Sequence, residues 1–140
     1  MHKNKLFWIV LFFSIIGLFT SLYLTWDHYR VENGVLCEIN DGFSCDITKN
    51  SKYAELFNVP VGVFGMIWFL VMLGLNYAVR KRDVHHLLLV WGGFGLLFVG
   101  YFVHGEYVLK ALCPYCTIAH FCVILIFIAN VDLFRKREVK

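Results

Sequence analysis

Four uncharged stretches constrain this chain more than anything else in it: Leu6–Trp26, Val59–Val79, Leu87–Val103 (extended back to His85 if the two histidines are included) and Ala111–Val131. A helix needs about 20 apolar residues, each rising about 1.5 Å, to cross the hydrocarbon core of a bilayer. Buried helices of soluble domains rarely run so long and so uniformly apolar four times within 140 residues. Charged residues make up 16% of the chain, against roughly a quarter in ordinary soluble domains. The expected fold is an all-α integral membrane protein. It is a four-helix bundle with helices over about 6–26, 59–79, 85–103 and 113–133, within a single domain spanning 1–140.

The first segment follows Lys3 and Lys5, as a signal peptide would. It is long for an h-region, however, and ends in Thr25-Trp26-Asp27-His28 with no small-residue cleavage pattern, so it reads as a retained helix. The formal net charge of +3 is unevenly spread. Lys3, Lys5, Arg80, Lys81, Arg82, Arg135, Lys136, Arg137 and Lys140 fall on one side of the expected membrane. The other side carries Arg30, Lys49, Lys52 and Lys110 among seven acids, Glu106 included. Short basic loops stay in the cytoplasm, so both termini are expected there and the long 27–58 loop and the short 104–110 loop outside. No basic stripe interleaves with exposed aromatics, so nucleic acid is not an expected partner; the lipid bilayer is. The expected setting is a membrane that the chain crosses several times, with the long loop on its outer face.

Glycines crowd the second and third segments, where they let helix backbones approach closely or leave a groove for a flat ligand. Between the first two segments, Ser51-Lys52-Tyr53-Ala54-Glu55 looks like the start of a short surface helix. It would place Tyr53, Leu56 and Phe57 on one face as a cap over the bundle. Pro60 suits the first turn of the helix that follows.

Five cysteines carry the chemistry. Cys113-Pro114-Tyr115-Cys116 is a C-x-x-C at the mouth of the last helix, where the helix dipole favours a thiolate, the nucleophile of disulfide exchange. Cys37 and Cys45 sit in the outer loop, in a compartment where disulfides persist. Two dithiols on one side of a membrane suggest a relay. The same four residues also admit a Cys₄ metal site or inert staples. Cys122 lies inside the last helix and reads as a small buried apolar residue. His120 follows Cys116 by one turn on the same face, and a polar group at that depth tends to be functional or bonded to a neighbouring helix.

This arrangement resembles the vitamin K epoxide reductase family in its bacterial, quinone-reducing form, without a fused thioredoxin-like domain. The resemblance rests on Ser44 and the pair Cys37…Cys45, on Ser51-Lys52-Tyr53-Ala54 through Val59-Pro60 and Gly65, and on the C-x-x-C in the last helix. It implies that Cys116 gives electrons to a quinone (menaquinone, ubiquinone or vitamin K), that Cys113 exchanges with Cys45, and that Cys37 meets an external thioredoxin-fold thiol oxidoreductase. It places His120 where family members bind the quinone through a Tyr. Val61 stands where the family has an Asn, with Asn58 and Phe57 nearby. Reduction of vitamin K epoxide is the alternative activity within the family.

Overall fold

The computed structural model describes residues 2–30 and 51–139. The loop pair Cys37 and Cys45 lies outside the described residues, as does most of the loop that holds it. Four helices carry the architecture: α1 His2–His28, α2 Val61–Ala78, α3 His85–Leu109 and α4 Pro114–Glu138. Each contains a span long and apolar enough to cross a membrane, and the protein is a multi-pass membrane helical bundle. Its exterior is apolar, as lipid demands: Trp8, Phe19, Val90, Leu97, Phe121 and Ile128 all point outward. The helices run up and down, so both termini and the 79–84 turn share one end, and Cys113 and Cys116 lie at the other. α1 packs along α2 and α4, α3 packs on α4, and the α2–α3 seam is the thinnest.

Close approach between α1 and α2 depends on Gly62. A Cβ there would run into the Thr25 hydroxyl and come within 2.9 Å of the Ser21 carbonyl. The α2–α3 seam is bolted differently. Trp68 Nε1 donates to the Trp91 carbonyl and Trp91 Nε1 donates to the Trp68 carbonyl, each at 3.1 Å. Both indoles thereby satisfy their only donor. The Trp68 ring fits because Gly95 faces it, where a Cβ would lie 2.6 Å from the ring. Toward the terminal end the interior is filled by Val10, Met72, Leu88 and Ile126. There Asn76 donates to the Phe7 carbonyl at 3.2 Å, and Asn130 to the Met72 sulfur at 3.7 Å.

Three expectations need correction. The third helix does not stop near 103. It continues to Leu109 and ends on Lys110, which takes a left-handed conformation at φ 51°. Most of the expected 104–110 loop is therefore helix. The segment after Ser51 is not a helix either. Ser51 Oγ accepts the Tyr53 N–H, a local turn follows, and then β1 (Glu55–Leu56) pairs antiparallel with β2 (Val59–Pro60). The two-residue turn between them, Phe57-Asn58, has positive φ at both positions. That is the backbone sense that matches the natural twist of a hairpin. Pro60 precedes α2 as its cap residue instead of opening its first turn.

Candidate functional site

A cavity of about 380 Å³ fills the cysteine end of the bundle. Its floor is set by the paired Trp68 and Trp91, and its walls by Phe94, Phe98 and Phe102 of α3. Tyr53 and Leu56 close it from the hairpin side. Ile67 and Phe94 flank the thin α2–α3 seam; both line the cavity and are 52% and 47% exposed. The cavity lies between membrane-spanning helices.

The C-x-x-C forms part of the α4 wall. Cys113 stands just before Pro114 and caps the helix: its sulfur accepts the Cys116 backbone N–H at 3.4 Å. Its carbonyl accepts both the N–H and the hydroxyl of Thr117, each at 3.0 Å. Sulfur here does what a Ser or Asp oxygen does at an ordinary N-cap. The Cys116 thiol donates to the same sulfur and pulls the Cys113 thiol below its ordinary value, against the opposing effect of burial. Cys113 is 1% exposed, packed with Leu24, Tyr115 and Cys116. The Tyr115 ring lies 4.6 Å from that of Tyr23 and fixes the C-x-x-C turn against α1.

His120 lies deeper on the cavity wall than Cys116, stacked on Phe102 with ring centroids 6.2 Å apart and planes 7° from parallel. Val61 also lines the cavity. Phe57 only borders it: the hairpin turn throws its side chain outward, 90% exposed, so it cannot act as the apolar cap expected with Tyr53 and Leu56. Asn58 shares that turn, is exposed and does not line the cavity, so it cannot stand in for a missing Asn at position 61. Cys122 is buried in the packed core with Val123 and Ile126, and its thiol is free.

Sequence reasoning missed Glu106. The longer α3 carries it onto the cavity wall, 6% exposed, where its carboxylate accepts the backbone N–H of Cys113. The available signal was an acid within reach of an apolar span, read instead as a loop charge.

An apolar cavity of this size suits a small, flat, apolar molecule. Its aromatic rings, a dithiol and polar groups, His120 and Glu106 among them, fit a quinone headgroup. A membrane helical bundle with a thiol pair set into an apolar cavity defines the class: a membrane redox protein. The family model described as the vitamin K epoxide reductase family matches residues 8–131, and the chain belongs to that family. A search of curated proteins returned no match. Family membership supports a membrane oxidoreductase of the quinone-reducing type.

Proposed function

We propose that this protein oxidises a separate thioredoxin-fold thiol protein and passes the electrons through its two cysteine pairs to a membrane quinone, supporting disulfide formation. The observation that carries this reading is that the C-x-x-C helps to wall an apolar cavity set between membrane-spanning helices. A quinone enters from lipid, whereas protein thiols arrive from water, so the two pairs divide the work between two solvents. In the resting cycle Cys45 attacks the Cys113–Cys116 disulfide at Cys113, and Cys116 leaves as thiolate. Cys37 then attacks Cys45 and releases Cys113. A thiol held below its ordinary value is the better leaving group in that step, which favours Cys113 there. The Cys37–Cys45 disulfide left behind is reduced by the external partner, and the Cys113/Cys116 dithiol is reoxidised by the quinone.

His120 is suited to hydrogen-bond a quinone oxygen, while Val61 offers none. The excess of basic residues at the terminal end supports cytoplasmic termini and redox cysteines on the outer side. The test mixes purified protein with a reduced thioredoxin-fold protein and menaquinone or ubiquinone, and follows quinone absorbance. One quinone reduced for each partner disulfide formed is the expected result. Partner oxidation with no loss of quinone absorbance contradicts the reading.

A further inference from the structure

Two acidic side chains on the cavity wall each keep one oxygen without a hydrogen-bond partner: Asp27 Oδ1 and Glu106 Oε1. Both residues are 6% exposed. Glu106 is tied to the cysteines. It accepts the Cys113 N–H, and its charge acts on the sulfurs of both Cys113 and Cys116. A buried carboxylate with a spare oxygen is costly to keep, and beside a redox pair it marks a place where a proton is handled.

We propose that Glu106 takes up a thiol proton as Cys113 and Cys116 form their disulfide and releases it toward the electron acceptor in the cavity. Formation of the S–S bond removes two electrons and two protons from the two thiols. A quinone takes both electrons and, as quinol, both protons, so nothing else is consumed. The walls around the sulfurs are mainly apolar, so a protein group must carry the protons. Glu106 ends each transfer in the protonation state in which it began, carrying one proton at a time. The ionisable groups that share its cavity wall, among the described residues, are Asp27 and His28 of α1, Tyr53, and Cys113, Cys116 and His120 around the start of α4. His28 is engaged with Glu55 at 3.0 Å, and His120 is stacked on Phe102. The acceptor's identity rests on the quinone reading; the thiol chemistry does not.

The test compares the full chain with Glu106→Gln and Glu106→Asp, pre-reduced and then oxidised by a quinone in a single turnover. Alkylation of the Cys113/Cys116 pair is followed against pH in parallel. Glu106→Gln keeps an oxygen for the Cys113 N–H but cannot exchange a proton. General acid–base catalysis is worth about 10²–10⁴-fold, so oxidation should slow by at least about tenfold, with Glu106→Asp recovering part. Alkylation should move the opposite way, becoming faster with a lower pH midpoint, because a neighbouring negative charge is gone. Unchanged oxidation in Glu106→Gln overturns the proposal. So does slowing of both reactions, which would mark a packing role. Should the parent reduce no quinone, the quinone reading fails by itself. The same comparison with diamide, which also takes two electrons and two protons, then decides the matter: slowing supports Glu106 and equal rates overturn it.

Discussion

The two ends of the bundle solve the same problem differently. Both bury polar side chains in a membrane-spanning fold. At the terminal end these are neutral and mostly engaged across helices, as Asn76 is with the Phe7 carbonyl and Asn130 with the Met72 sulfur. Apolar side chains fill the space around them. Ser14 Oγ and Asn130 Oδ1, neutral oxygens, are left over in that packed region. At the cysteine end two of the buried polar groups, Asp27 and Glu106, are ionisable, and the space beside them is hollow. A neutral polar group inside a bundle holds helices together, whereas a charged one beside a cavity is expensive and retained for chemistry. Substitutions at one end should therefore change stability, and at the other, turnover.

The largest effect belongs to Cys116→Ser. It should abolish quinone reduction while leaving the melting temperature nearly unchanged, and a Cys45–Cys113 bond should accumulate because Cys116, one of the two thiols that can break it, is missing. Peptide mapping of the non-reduced protein reads that bond. A matching loss of thermal stability would blur the division between the two ends. Leu88→Ala probes the opposite end, where the side chain is 1% exposed. Lipid is as apolar as leucine, so the loss is mainly the cavity left behind, about 1–3 kcal/mol. Thermal unfolding in detergent should show it, with turnover at low temperature within twofold of the parent, about the scatter of a structural change remote from the site. His120→Ala sharpens the comparison most finely. One lost hydrogen bond costs about 0.5–1.5 kcal/mol, so quinone reduction should fall about three- to tenfold with thiol exchange intact. Equal losses in both half-reactions would give His120 a folding role.

The helices were legible because nothing but uniform apolarity was needed to see them, and the C-x-x-C because its spacing is local. Legibility failed where tertiary context decides. Glu106 looked like a loop residue, yet the helix absorbs it. Its side chain is turned onto the cavity, accepting the Cys113 N–H, a partner that no local pattern reveals. The Tyr53, Leu56, Phe57 spacing was compatible with a helix face. Phe57 and Asn58 instead adopt left-handed backbone at the hairpin turn, common for Asn but disfavoured for Phe. Pairing of Leu56 with Val59 and of Glu55 with Pro60, together with the His28–Glu55 contact to the end of α1, holds the hairpin against that cost. The place of His120 on the cavity wall followed from helical periodicity alone, because α4 is regular through it.

The central claim is that the Cys113/Cys116 pair delivers electrons directly into the cavity beside it. Its most direct test is a single turnover of the triple variant Cys37→Ser, Cys45→Ser, Cys122→Ser, in which that pair alone remains. The protein is reduced, freed of reductant and mixed anaerobically with excess quinone, with no thiol partner present. Absorbance should report one quinol formed per protein, and mass spectrometry a Cys113–Cys116 disulfide in the same amount. A folded variant that forms no quinol, or one that forms the disulfide with the quinone untouched, would contradict the account.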